Sequence, residues 1–326
     1  MSELPGEFAL IARHFRPLAA PEGLGLGDDA AFLTPPPGRA LVLSADAMVE
    51  GVHFLPADPP DLVARKLLRV NLSDLAAKGA APLGYLLTFA APRATPDAWF
   101  AAFAAGLAAD QARYGIGLYG GDTTSTPGPI TLSLTILGTV APGAAVHRAG
   151  ARAGYGIWVS GTIGDAALGL AALQGRLADP TGALAARYRL PEPRLGLVRA
   201  ELVAACLDVS DGLVQDLGHL CRAGGVSDGG VDGGGVGAEI EAALVPRSAA
   251  ARAAGPAWLA TCLTGGDDYE VLMAVPPEHE PTLAGLSTTV PLTRIGRFVA
   301  GPAVVRVRDE TGAAMMLDHG GWSHFG

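Results

Sequence analysis

Lysine is nearly absent. Lys66 and Lys78 are the only two in 326 residues, and acids outnumber lysine and arginine together by 32 to 23, for a net charge of −9. A surface built to neutralise nucleic-acid phosphates carries a basic surplus, so nucleic-acid binding is set aside. Cysteine is equally scarce. Cys206, Cys221 and Cys262 are odd in number, far apart and form no C-x-x-C pair. That excludes a disulfide framework and a zinc site, and it fits a reducing cytoplasm. No apolar run reaches the ~20 residues of a membrane span. The opening Met-Ser-Glu-Leu-Pro-Gly-Glu lacks the basic and apolar regions of a secretory signal. Several catalytic signatures are missing too: GxxxxGK[ST], the protein-kinase catalytic loop, GxSxG and HExxH. Any ATP chemistry therefore uses an architecture other than a P-loop. An acidic chain that handles phosphates also needs cations to mediate, which points to Mg²⁺.

What is present is a strongly apolar chain, 49% hydrophobic and 17% charged, with ample material for a core. Its length exceeds the ~250–300 residues at which single cores stop growing, so two domains are expected. Helical spacing predicts helices over 7–15, 61–78 (stopped by Gly79), 96–114 (closed by Gly115), 165–173, 194–206 and 212–222. Strands are predicted over 41–44 (ending at Asp46), 83–90, 116–119, 130–140, 157–160, 269–275, 289–298 and 303–307. This interleaving indicates an α/β (α+β) fold. Pro142, Gly143, Gly150 and Gly154 mark a linker, giving domains 1–149 and 150–326. Residues 224–237 are nearly all Gly, Asp, Val and Ser and read as a surface insertion rather than a phosphate loop. Asp28–Asp74 and Asp165–Asp211 are equally spaced, but the sequence between them does not match, so chance spacing is the better account.

Six stretches carry candidate chemistry. Gly25-Leu26-Gly27-Asp28-Asp29 offers paired carboxylates in a glycine-bounded turn, suited either to hard oxygen ligation of Mg²⁺ or to a helix cap. Ser44-Ala45-Asp46 places an acid at a strand end, where α/β sites form, and His53 follows as a packing, capping or substrate residue. Asn71, Asp74 and Lys78 share one face of a helix, facing either water or a site. Gly120-Gly121-Asp122 follows a short strand. Its glycines allow a close backbone approach to phosphate, and Asp122 allows metal ligation. The overlapping GxGxxG at 115–120 follows a helix and enters a strand, the reverse of a dinucleotide loop. Asp208-Val209-Ser210-Asp211-Gly212 sits just before a helix, as an anion site or a cap. Gly265-Gly266-Asp267-Asp268-Tyr269-Glu270 is the sixth.

In order, and together with Gly6–Arg13, Val49–Pro56, Arg148–Ala151, Gly161–Asp165 and Gly321–Phe325, these stretches resemble the thiamine-monophosphate kinase family over nearly the whole chain. The resemblance implies the two-domain fold of aminoimidazole ribonucleotide synthetase, with the N-terminal domains pairing in a homodimer and the C-terminal domain completing the active-site cleft. It implies metal ligation by Asp29, Ser44, Ala45 (through its carbonyl), Asp46, Asp74, Asp122, Asp208 and Asp211. ATP contacts fall on Tyr114, Gly121, Asp122, Arg148 and Ser210, and thiamine monophosphate contacts on His53, Asp267 and Trp322. Asp267 stands where the family more usually has Glu, one methylene longer.

The implied reaction is direct in-line transfer from ATP to thiamine monophosphate with several Mg²⁺ ions and no phosphoenzyme, Asp46, Asp74, Asp122 and Asp211 being central. The acceptor is already an anion, so the obstacle is repulsion between polyanions, ~4 kcal/mol for unit charges 4 Å apart at a dielectric of 20. Two alternatives stand beside it. One is another ATP-using enzyme of the same superfamily, although the N-terminus lacks the Cys or Lys loop usual in those relatives. The other is a non-catalytic nucleotide- or metal-binding protein.

Overall fold

The computed structural model describes residues 6–224, 236–286 and 288–324. Residues 225–235 of the Gly-rich segment, and Phe325, lie outside them. The chain divides into two compact units, Met1–Leu75 with Ala80–Gly143, and Ala76–Gly79 with Ala144–Gly326.

In the first unit, α1 (Glu7–Leu10) runs on as a π-helical turn over Ile11–Phe15. Then come β1 (Ala40–Val49), α2 (Pro60–Ala77), β2 (Ala81–Ala91), α3 (Asp97–Tyr114), β3 (Gly117–Ser125) and β4 (Thr131–Val140). The strands form one sheet in the order β1-β4-β2-β3, antiparallel except for the β2–β3 pair. Along β4 the residues Leu132, Leu134 and Ile136 are fully buried and alternate with half-buried Ser133 and Thr135, the period of a sheet covered on one face. Helix α2 supplies part of that cover. Leu67, Leu68, Leu72 and Leu75 are all 0% exposed, and Arg69 is locked to Asp110 of α3 by bonds of 2.6 and 3.0 Å. The opposite face is open: Leu41, Leu43 and Leu86 are 40, 60 and 40% exposed.

In the second unit, β5 (Gly156–Ser160), α4 (Asp165–Leu173), α5 (Ala183–Arg189), β6 (Ala205–Asp208), α6 (Leu213–Ala223), β7 (Val236–Glu241), α7 (Ala249–Ala253), α8 (Leu259–Thr264), β8 (Val271–Val275), α9 (Glu280–Ala284), β9 (Leu292–Ala300) and β10 (Val305–Arg308) follow in turn. Six strands form a mixed sheet in the order β10-β7-β9-β5-β8-β6. Strands β5 and β8 are buried along their whole length, as central strands covered on both faces must be.

Several expectations are corrected. Strand β1 does not end at Asp46 but runs three residues further, because its antiparallel pairing with β4 continues through Asp46↔Leu134 to Val49↔Thr131. The Gly-Gly-Asp at 120–122 does not follow a strand; it lies inside β3, paired with Leu86–Thr88 of β2. No helix spans 194–206. Gly196 takes φ +73, Leu202 and Val203 close a turn onto the Arg199 carbonyl, and Ala205–Asp208 pair with β8. The apolar residues that suggested helical spacing there are buried from a turn and a strand instead. Among the described residues no helix is long and apolar enough to cross a membrane.

Candidate functional site

The first group of acids joins β1 to α2. The Ser44 hydroxyl donates to Asp74 at 2.5 Å. Asp46 lies two residues along, on the same sheet face, half-buried. Burial, and then the negative charge of Asp74, push the Asp46 carboxyl up to about 7. Two acids have thus been drawn together at an edge strand with an all-oxygen donor set, the set a hard divalent cation takes. Ala45 lies on the same edge strand, which pairs with β4 alone among the described strands. The helix face of Asn71 and Asp74 is not solvated. Asn71 is 0% exposed, donates to the Leu67 carbonyl at 2.9 Å, and its buried Oδ1 has no hydrogen-bond partner among the described residues. Lys78, beyond the helix end, donates to the Cys206 carbonyl at 3.2 Å. The His53 ring caps a turn, its Nδ1 accepting from the Val49 amide at 3.0 Å.

The second group sits at the opposite edge of the same sheet. Asp28, Asp29, Gly121 and Asp122 line one cavity of about 190 Å³, floored by Phe15, Leu87, Phe89 and Leu118. Gly121 is required there by its neighbour strand: a Cβ would stand 1.6 Å from the Leu87 carbonyl oxygen. Asp46 and Gly121 occupy one row across the sheet, Asp46–Leu134–Leu87–Gly121. Three strand spacings separate them, about 14 Å. The acids of the first unit thus come from both edges of one sheet. Tyr114 is not in the cavity lining. Its ring lies at the end of α3, with the Arg69 and Arg113 guanidiniums 5.6 and 5.3 Å from its centre.

In the second unit, two segments distant in sequence converge on the turn after β6, bringing Asp208, Ser210, Asp211, Asp267 and Trp322 together. The Asp267 amide donates to the Ser210 carbonyl and the Trp322 amide to the Asp211 carbonyl, both at 2.9 Å, and the Tyr269 amide donates to the Val209 carbonyl at 2.7 Å. Gln215 Nε2 bridges the Asp211 carboxylate (3.3 Å) and the Trp322 carbonyl (2.5 Å). Trp322 is 54% exposed and packs edge-on against His324. The Arg148 charge reaches this cluster as well: burial first, then Arg222 and Arg148, lower the pKa of His219, against the pull of Asp211. Asp211, Asp216 and His219 offer ligand atoms within 4.8 Å of one another.

Neither Ser210 nor Asp211 caps α6. The cap position is Gly212, without a side-chain bond. Asp216 reaches back instead, and one of its oxygens accepts from the amides of Ser210, Asp211 and Gly212 at 3.0, 3.0 and 3.1 Å. The backbone donors expected to receive an anion are thus already engaged. Burial and the Asp211 charge push the Asp216 carboxyl up to about 7 despite those three bonds. Sequence reasoning missed Asp216, although an acid in the first turn of a glycine-opened helix was the available signal. Glu270, named in the sixth stretch without a role of its own, is fully buried and receives Ser160, Arg187 and Arg194. Nothing short-range links those four residues.

Asp267 and Tyr269 both take left-handed backbone, φ +72 and +52. Outside glycine such positions cost of order 1–3 kcal/mol each and persist only where the surroundings over-determine them.

Comparison with known proteins places the chain among phosphate-handling enzymes. The family model for the N-terminal domain of AIR synthase related protein matches residues 27–140. The chain is 42% identical to the thiamine-monophosphate kinase of Caulobacter vibrioides, across 98% of this chain and 91% of that protein. It superposes on the crystal structure of thiamine-monophosphate kinase from Stenotrophomonas maltophilia K279a with a TM-score of 0.81 at 39% identity, covering 95% and 98% of the two chains. A third similarity is to the structure described as AaThiL complexed with AMPPCP and TMP, with a TM-score of 0.74 at 30% identity over 98% and 97%.

Proposed function

The chain belongs to the thiamine-monophosphate kinase family, and on that premise we propose that it transfers the γ-phosphoryl group of ATP directly to thiamine monophosphate, giving thiamine diphosphate and ADP. The observation that carries the reading is the convergence on Asp208–Gly212 of Asp267 and Trp322, two substrate candidates more than fifty residues apart in sequence. A relative has been solved with AMPPCP and TMP, which supports the same pair of ligands here.

The donor sets fit Mg²⁺. Asp74 accepts from Ser44, and its negative charge, after burial, raises the Asp46 carboxyl; Asp29 and Asp122 line one cavity; Asp208 and Asp211 flank Ser210. With this many carboxylates in three groups, several ions are proposed rather than one. Ser44 and the Ala45 carbonyl complete the first set. Mg²⁺ held there supplies charge neutralisation between the two polyanions. The protein's own residues do the rest. Gly121, Asp122, Tyr114, Arg148 and Ser210 hold the nucleotide. His53 and Asp267 orient the acceptor, and Trp322 stacks on a flat heterocycle. With an anionic acceptor no side chain need remove a proton, so Asp46, Asp74, Asp122 and Asp211 act as charge holders and no phosphoenzyme forms.

The N-terminal unit is proposed as the ATP, Mg²⁺ and dimerisation domain and the C-terminal unit as its complement in substrate binding. The open face bearing Leu41, Leu43 and Leu86 supports a homodimer, to be tested by sedimentation. Three free, buried cysteines suit a cytoplasmic enzyme. The direct-transfer reading is tested by acid-quenching the enzyme with [γ-³²P]ATP. No protein-bound label is expected, and trapped label would overturn it.

A further inference from the structure

Residues 267–270 alternate in burial: Asp268 and Glu270 are fully buried, Asp267 and Tyr269 half-buried. The two inward acids are anchored along their length. Asp268 accepts from the amides of Gly164 (2.7 Å) and Ala166 (3.4 Å) at the start of α4. Glu270 accepts from Ser160 Oγ at 2.6 Å and from Arg187 at 2.7 Å, and it forms a two-pronged pair with Arg194. Arg187 holds both anchors at once, since the same nitrogen also donates to the Asp268 carbonyl at 2.6 Å. The two arginines are themselves only 15 and 13% exposed. Between these anchors the two outward residues sit in left-handed backbone, and the Tyr269 hydroxyl donates to Asp267 Oδ1 at 3.2 Å.

A chain that needed only a turn here could use glycine at both positions, and glycine meets no steric objection at positive φ. A tyrosine in that conformation is a genuine outlier. The side chains are therefore what the strain preserves, and the buried ions are what hold it. A carboxylate with two guanidiniums directed at it from α5 and from the segment before β6 is an expensive way to fasten a surface loop. It is a direct way to fix a carboxylate's reach.

We propose that Glu270, Arg187 and Arg194 form a positioning device for the acceptor site: through the Asp268–Glu270 backbone they hold Asp267 and Tyr269 as a hydrogen-bonded pair beside Ser210, and so set affinity for thiamine monophosphate without touching it. This rests on the reading of Asp267 as a substrate contact.

The test is a double-mutant cycle on the full-length protein, reading the Kd for thiamine monophosphate by calorimetry without ATP, KM for each substrate, and the thermal midpoint. Asp267→Asn is expected to raise that Kd about tenfold, worth ~1.4 kcal/mol. Arg187→Met is expected to raise it by a similar factor, with KM for ATP within about twofold, and the double variant should be no weaker than either single one. Arg187→Lys should recover part of the loss. Should Arg187→Met not fold, Ser160→Ala, which removes one bond to Glu270, decides the matter. About a threefold rise, absent in the Asp267→Asn background, supports the device. A rise with Asp267→Asn but none with the anchor variants, or fully additive effects, overturns the positioning proposal. An unchanged Kd for Asp267→Asn overturns the contact reading beneath it.

Discussion

Gly120-Gly121-Asp122 and Gly265-Gly266-Asp267 are one tripeptide in two settings. In the first unit it is part of a strand, with Gly121 registered against Leu87 and Asp122 against Thr88. In the second it is a loop, ending in two left-handed residues and zipped to Val209 and Ser210. What the two share is the second glycine, which lets another backbone come close. A Cβ would stand 1.6 Å from the Leu87 oxygen at Gly121 and 2.2 Å from the Ser210 oxygen at Gly266. The glycines serve chain-to-chain packing, and the acid that follows is delivered by it. The flanks then decide the form. Thr-Thr-Ser after Asp122 continues a strand, while Asp-Tyr-Glu after Asp267 supplies two buried anchors.

The largest effects should come from breaking those close approaches. Gly121→Ala drives a methyl group into a strand backbone and should cost on the order of 4 kcal/mol or more, leaving little soluble protein. Gly266→Ala should cost about 3 kcal/mol, seen as a lowered thermal midpoint. The acids come next. Asp46→Asn and Asp74→Asn should each lower kcat about a hundredfold, ~2.7 kcal/mol of lost charge stabilisation, with the fold intact by circular dichroism. His53→Ala should lose far less, because its ring is engaged in a local turn. Equal small losses in all three would remove the metal role from β1 and α2. In the second unit, Trp322→Ala should raise KM for thiamine monophosphate about tenfold, ~1.4 kcal/mol, and leave kcat nearly unchanged. The smallest effect belongs to the first glycine of the pair. At Gly120 the nearest atom to an added Cβ is 3.6 Å away, so Gly120→Ala should stay within ~0.5 kcal/mol of the parent protein. A large loss there would mean the glycine faces something besides the protein.

Long periodic elements were legible in the sequence. The helices over 60–77 and 97–114 carry their stop signals in Gly79 and Gly115, both at positive φ, and the alternation of 131–140 is plain. The ends of β1 and β3 were not legible. Ser-Ala-Asp and Gly-Gly-Asp look like strand exits, yet the partners β4 and β2 carry the pairing through them. The helices α5, α7, α8 and α9 are five to seven residues each, too short to show a period. The helix expected over 194–206 failed because tertiary burial of Val203 and Cys206 is satisfied by a turn and a strand.

The candidate site divides the same way. Acids beside glycines or near a strand end stood out, so Asp29, Asp46, Asp122, Asp208, Asp211 and Asp267 were all picked out as candidates. Their distribution was not legible. The separation of Asp46 from the Asp29–Asp122 cavity follows from strand order, which no local pattern encodes. The presence of Asp216 and the role of Glu270 were not legible, for the opposite reason. Each acts on partners inward, with three amides for one and two arginines for the other, and in sequence each is simply an acid in a helix or at a strand start.

The central claim is that these oxygen donors serve transfer onto a phosphate. The most direct test is a single reaction of the purified protein with ATP, Mg²⁺ and thiamine monophosphate, with thiamine diphosphate detected by chromatography and free thiamine as the parallel acceptor. Thiamine diphosphate should form stoichiometrically with ADP, and only when Mg²⁺ is present, while free thiamine should remain unphosphorylated. Phosphorylation of thiamine but not of its monophosphate would contradict the account.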